Sequence, residues 1–216
     1  MELITNTIQF FLHLGPHIAD LAEQYGTAVY VILFLIVFCE TGIVLTPFLP
    51  GDSMLFVVGA LSATGKLNIH ILNASLITAG ILGYWLNYYT GLRLAHKVNG
   101  QQGLKFIKQE YLKKTEDFYK KYGPKAVVIA RFMPFTRTFA PFLAGIGKMK
   151  YTHFQFYNVI SAFLWIPTII YLGYFFGNIP MIKDNFTYVI FVIVTVSLFP
   201  IALEYFKQRK APSAKL

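Results

Sequence analysis

Four ionisable residues stand in or beside apolar stretches where charge is costly: Glu40, Asp52, Arg131 and Arg137. An acidic or basic side chain at the centre of a membrane span costs about 2.5 to 3.5 kcal/mol on insertion scales, so such residues usually mark a path for an ion or a substrate. Arginine stays protonated and offers a planar set of donors that matches phosphate oxygens. A carboxylate shielded from water can instead take up and release a proton. Two arginines could therefore hold an anion while two acids count protons. A plainer role is also open, in which the acids pair with the arginines only to hold the chain together. A pair that must open before a substrate enters would serve both purposes.

The elements around these residues belong to a membrane. Of 216 residues, 56% are hydrophobic and 13% charged, with a mean hydropathy of +0.53. A soluble domain carries about 25% charged residues, so this chain has too few polar groups to cover its surface in water. The segments 70–92 and 154–176, each 23 residues, are expected to cross as helices of about 34 Å against a hydrocarbon core of about 30 Å. A third span is expected over 187–206.

The stretch 26–66 is different. Its first part, Gly26 to Glu40, makes about 22 Å of helix before Gly42, Pro47, Pro50 and Gly51 interrupt it, and Met54 to Leu61 is apolar again. A re-entrant hairpin fits, because irregular backbone at membrane depth is tolerated where protein shields it. The alternative runs Gly26 to Leu49 straight across, leaving a return that is too short to cross back. The pattern recurs over 125–150, where Lys125 to Phe135 leads to Arg137, Pro141 and Gly145. The phrases Thr46-Pro47-Phe48-Leu49-Pro50-Gly51 and Ala140-Pro141-Phe142-Leu143-Ala144-Gly145 agree at four of six positions and are expected to form the two hairpin tips. Leu82-Gly83-Tyr84 and Leu172-Gly173-Tyr174 add a second echo. Together these predict an internal duplication. Ser53 and Thr138 place hydroxyls near the tips, as ligands or as local caps, and helix starts there could present N–H groups to an anion.

Charge sets the orientation. Fifteen of the 19 Lys and Arg residues lie between Arg93 and Lys125, at Lys148 and Lys150, or in the tail, against Lys66 and Lys183 on the other face. The positive-inside rule then puts the linker 93–124 and the tail 207–216 in the cytoplasm and the N-terminus outside. One crossing separates the hairpins, so they must enter from opposite faces as an inverted pair. Residues 1–25, free of Lys and Arg, read as an interfacial helix without a cleavable signal peptide. The linker, with Tyr111, Phe118, Tyr119 and Tyr122 among its lysines, reads as an amphipathic helix on anionic lipid rather than a nucleic-acid surface. The fold class expected is an all-α polytopic membrane protein with two inverted re-entrant helical hairpins and about three full spans.

Other chemistry is poorly supplied. Cys39 is the one cysteine, and the histidines form no metal-ligand pattern, so no metal and no cofactor is expected. No histidine stands beside the arginines as a nucleophile and no Ser/His set is visible, which argues against an enzyme. Asn87 and Asn158 fall in the crossing helices, where interhelical hydrogen bonds are expected. Trp85 and Trp165 read as packing or lipid-facing residues.

The phrases Cys39-Glu40-Thr41-Gly42, Thr46 to Ser53, Ala130-Arg131-Phe132, Arg137 to Phe142, Ala144-Gly145, Tyr157-Asn158 and Gly173-Tyr174-Phe175-Phe176-Gly177 resemble the DedA family of bacterial inner-membrane proteins. The resemblance implies the fold of the wider VTT or SNARE-associated superfamily, with two facing re-entrant hairpins and a location in the bacterial inner membrane. It also implies that Glu40, Asp52, Arg131 and Arg137 are the functional set. Members of the family are implicated in returning undecaprenyl phosphate across the inner membrane, in maintaining the proton-motive force, and, among eukaryotic relatives, in scrambling phospholipids. Many relatives have an acid where this chain has Tyr84. The leading expectation is a flippase for undecaprenyl phosphate, with Arg131 and Arg137 on the phosphate and Glu40 and Asp52 in proton coupling or gating. Its partners would be a polyprenyl-phosphate or phospholipid substrate, protons and membrane lipids. A proton-coupled cation antiporter, a phospholipid scramblase and a non-transporting scaffold are the alternatives. A homo-oligomer is compatible with the sequence, which does not determine the oligomeric state.

Overall fold

The computed structural model describes residues 24–43, 51–97, 122–133 and 136–176, with positions 21, 119 and 179 besides. Most of the expected interfacial segment 1–25 and of the linker 93–124 lies outside the described residues, as do Pro47, Pro50, the span 187–206 and the tail 207–216.

Every regular element among the described residues is helical: α1 (Ala28–Gly42), α2 (Gly51–Ala63), α3 (Ile69–Lys97), a 3₁₀ turn (Gly123–Lys125), α4 (Ala126–Arg131), α5 (Thr136–Ile146) and α6 (Tyr151–Phe176). Local chemistry sets several ends. Beyond α2, Gly65 takes φ +82° and its N–H bonds the Ser62 carbonyl, a turn that only glycine enters without strain. Asn68 then caps α3, its Oδ1 accepting from the N–H groups of His70 and Ile71.

Helix α3 runs from Ile69 to Lys97, five residues past the expected end at Leu92, because no Gly or Pro interrupts the chain there. Helix α6 starts at Tyr151, three residues early. Both are long and apolar enough to cross a bilayer, whereas α1 and α2, with 15 and 13 residues, reach only about 22 and 20 Å. Large apolar side chains face outward, among them Val31, Leu35, Phe156, Phe163 and Phe175, while Glu40, Asn87, Arg131, Asn158 and Ser161 are buried. Polar inside and apolar outside is the inverse of a water-soluble domain. The chain is a helical membrane protein.

The order short helix, break, short helix, long helix occurs twice, as α1–α2–α3 and as α4–α5–α6. The two halves interlock. Helix α1 packs on α3 and α4 on α6, each within its own half, but α2 packs on α6 and α5 on α3, each across to the other half. Glycines permit the cross-packing. A Cβ on Gly59 would strike the Ile170 carbonyl and one on Gly173 the Phe56 carbonyl; likewise Gly91 meets Phe142 and Gly145 meets Tyr88. These contacts also show α2 antiparallel to α6 and α5 antiparallel to α3.

This packing corrects two details of the predicted repeat. Pro141 and Gly145 lie inside α5 rather than at a tip, and the break comes earlier, between Arg131 and Thr136. Gly145 matches Gly59 in role, not Gly51, and Gly173 matches Gly91, not Gly83. Gly51 meets the Glu40 carboxylate and Gly145 meets the Tyr88 backbone, so the two glycines of the Pro-Phe-Leu-Gly echo serve different contacts.

The ends of the first half lie close in pairs. Asn68 donates its N–H to the Tyr30 hydroxyl at 2.7 Å, joining the beginning of α1 to the beginning of α3. At the other end Gly51, the first residue of α2, sits against the Glu40 carboxylate near the end of α1, with no room for a side chain. The chain goes out along α1 and comes back along α2.

Candidate functional site

The ends of α1 and α4 and the beginnings of α2 and α5 converge between the two long helices. Glu40 lies in the last turn of α1 and Asp52 in the first turn of α2; Arg131 ends α4 and Arg137 lies in the first turn of α5. A helix favours anions at its N-terminus and cations at its C-terminus. Asp52 and Arg131 obey that preference, whereas Glu40 and Arg137 oppose it. The two opposed charges are the pair that meets most closely: Arg137 Nη2 donates to Glu40 Oε1 at 2.5 Å, and Nη1 donates to Asp52 Oδ1 at 2.8 Å. One guanidinium thus bridges two carboxylates that would otherwise repel.

Arg131 is treated differently. Its side chain is 1% exposed, and its hydrogen bonds go to neutral groups. Nη1 donates to the Asn158 carbonyl (3.0 Å), to Asn158 Oδ1 (3.3 Å) and to the Ser161 hydroxyl (2.8 Å), and Nη2 donates to the Gly80 carbonyl at 2.6 Å. The guanidinium lies 3.9 Å from the Tyr84 ring centroid and 5.8 Å from that of Trp165. Gly80 lets the guanidinium come close here, since a Cβ would lie 3.2 Å from Arg131 Nη2 and closer still to the end of the Ile166 side chain. Two acids and two arginines balance in charge, yet Arg137 takes both acids and Arg131 forms no ion pair among the described residues.

Asparagines hold the frame. Asn87 Nδ2 donates to the carbonyls of Thr41 (3.1 Å) and Thr138 (3.0 Å), tying the end of α1 and the start of α5 to α3. Asn158 Nδ2 donates to the Ile81 carbonyl at 3.0 Å, tying α6 to α3. These are the interhelical bonds the sequence led us to expect. Beside the site, the Tyr119 hydroxyl donates to the Ala140 carbonyl, a group one residue before Pro141; burial pushes the phenol up from its ordinary value, so it stays a donor.

The structure therefore brings together Glu40, Asp52, Arg131, Arg137, Gly51, Ser53 and Thr138, the last two buried in the first turns of α2 and α5. Pro141 and Gly145 position α5 without reaching the tip. The sequence does not mark Trp165, Gly80 or Ser161 as site residues, and it marks Tyr84 only as a position where many relatives have an acid. Trp165, read as packing or lipid-facing, is 3% exposed and lies 5.2 Å from the Arg137 guanidinium. The one signal for Ser161 was a hydroxyl within an apolar span. Among the described residues no three of His, Cys, Asp and Glu converge as metal ligands.

Comparison with known proteins bears on this arrangement. The model of the VTT domain matches residues 49–175, more than half of the chain and including three of the four charged residues. Protein DedA of Escherichia coli K12 is 48% identical over 213 residues, covering 98% of this chain and 97% of the relative. This chain belongs to the DedA family. Another relative, inner membrane protein YqjA of Escherichia coli K12, is 33% identical over 84% of the DedA-family chain and 82% of its own length. An uncharacterized membrane protein of Mycobacterium leprae is 34% identical over 82% of this chain and 79% of its own. No solved structure matches the chain. DedA-family membership supports a membrane protein of transporter or flippase type in general terms.

Proposed function

We propose that this DedA-family protein flips a lipid carrying a phosphate headgroup, undecaprenyl phosphate in particular, across the bacterial inner membrane. The observation that carries the reading is Arg131, a buried guanidinium that forms no ion pair with a carboxylate among the described residues. A cation held by neutral groups in an apolar protein favours an anionic visitor. Arg137 supplies the second contact, because an arriving phosphate competes with Glu40 and Asp52 for the same donors. When the carboxylates lose that partner, taking up protons restores neutrality, which links lipid movement to the proton gradient. The prenyl tail stays in lipid throughout.

The fold-back of α1 and α2 supports a re-entrant first hairpin, and the inverted second half supports a matching hairpin from the opposite face. With the basic linker cytoplasmic, the N-terminus lies outside and the tail inside. Protein reconstituted in vesicles is expected to accelerate flipping of a fluorescent polyprenyl phosphate, and Arg131→Ala or Arg137→Ala to abolish it. Unchanged flipping in either variant removes the phosphate clamp.

A second reading rests on the two carboxylates meeting at one point. In a proton-coupled cation antiporter, Glu40 and Asp52 would bind the ion and Arg137 would act as a tethered stand-in for it. Na⁺ or K⁺ exchange that depends on both acids, without lipid movement, would favour that reading. Equal flipping of phosphodiester lipids would instead mark a scramblase.

A further inference from the structure

Five buried side-chain atoms among the described residues have no hydrogen-bond partner: Glu40 Oε2, Asn73 Oδ1, Tyr84 Oη, Asn87 Oδ1 and Arg131 Nε. Leaving a buried polar atom unpaired costs free energy, so natural proteins keep few of them, and one that persists calls for a reason. Asn73 stands alone, about three helical turns before Tyr84 on α3. The other four belong to the charged centre.

Two of these four are donors, Tyr84 Oη–H and Arg131 Nε–H, and they come from side chains in direct contact. The Tyr84 ring lies against the Arg131 guanidinium at 3.9 Å, is 1% exposed, and is within electrostatic reach of Arg137 and Glu40. A phenol could have been a phenylalanine there, with the same ring under the same guanidinium and no unpaired atom. The hydroxyl makes no hydrogen bond among the described residues.

We infer that Tyr84 is a specificity-determining ligand: its hydroxyl and the Nε–H of Arg131 together donate to an oxygen of the substrate's phosphate group. This deepens the phosphate reading above and rests on it. The ring positions Arg131 and the hydroxyl binds the anion, so the two functions of the side chain separate in one substitution, Tyr84→Phe. Removing an unpaired buried hydroxyl leaves the empty protein equally or more stable, whereas losing a hydrogen bond to a charged group weakens binding by about tenfold or more. A purely structural tyrosine cannot produce that opposite pair of effects.

Trp165, beside both arginines, gives a direct readout once Trp85, the other of the two tryptophans, is replaced in a Trp85→Phe background. The full chain in detergent is titrated with farnesyl phosphate, with inorganic phosphate and with uncharged farnesol, and its melting temperature is recorded without ligand. Support is saturable binding of farnesyl phosphate that weakens about tenfold in Tyr84→Phe, with an unchanged or higher melting temperature and no response to farnesol. The same tenfold loss with inorganic phosphate identifies free phosphate as a sufficient ligand of the hydroxyl. Equal affinity of Tyr84→Phe and its parent for farnesyl phosphate overturns the assignment while leaving the phosphate reading intact. Absence of binding to the parent protein overturns both.

Discussion

Arg137 and Asp52 lie 85 positions apart in sequence, in the first turns of α5 and α2, and join at 2.8 Å across the interlocked halves. Helix α5 packs on α3 and α2 packs on α6, so this pair connects two different packed groups of helices. Glu40, on α1, belongs to the same group as Arg137. The Asp52 bond thus crosses between the two groups, whereas the Glu40 bond lies within one. Asp52→Asn is expected to alter transport while leaving most of the stability, and Glu40→Gln, at a 3% exposed position, to reduce both. A double-mutant cycle of Arg137→Gln with Asp52→Asn, read by unfolding in detergent, should give a coupling of about 0.5 to 3 kcal/mol. Strict additivity would mean the pair contributes no coupling in the folded protein.

The four packing glycines act as two matched contacts. Gly59→Ala and Gly173→Ala should separate α2 from α6, and Gly91→Ala and Gly145→Ala should separate α5 from α3, because each methyl would meet a backbone carbonyl that cannot turn aside. Each is expected to cost about 1 to 3 kcal/mol, the usual scale of overpacking. Thermal unfolding with no change in any of the four would contradict the close approach.

Asn87 offers a cleaner perturbation than truncation. Asn87→Leu keeps the approximate volume, adds no charge and removes the donor that bridges the carbonyls of Thr41 and Thr138. Destabilisation of about 1 to 3 kcal/mol is expected. Because both bonded residues adjoin the charged centre, flipping should fall as well; a stable and fully active variant would show that the bridge is dispensable.

The turn at Gly65 precedes α3, while Met149 accepts from the Tyr88 hydroxyl near its other end. Cysteines introduced at Lys66 and Lys148 in a Cys39→Ala background should therefore react from opposite faces. An impermeant maleimide applied to intact cells should label position 66 alone, and position 148 only after permeabilisation. Labelling of both from outside would refute the inverted arrangement.

Much was written in residue types alone. Few charges and long apolar runs dictate helices in lipid, since only a helix satisfies its own backbone there, and the two helices long enough to cross a bilayer fall where the runs do. Glu40, Asp52, Arg131 and Arg137 stood out because charge in an apolar setting is costly whatever the fold. Partner choice is another matter. Nothing in the one-dimensional pattern distinguishes Arg131 from Arg137; their different surroundings arise because α5 crosses to α3 while α4 remains on α6, delivering one guanidinium to carboxylates and the other to Gly80, Asn158 and Ser161. Trp165, the surroundings of Tyr84 and the register of the glycines were hidden for the same reason: hydrophobic patterning constrains which residues are apolar, but contact between segments 50 to 100 residues apart depends on how backbones approach in three dimensions.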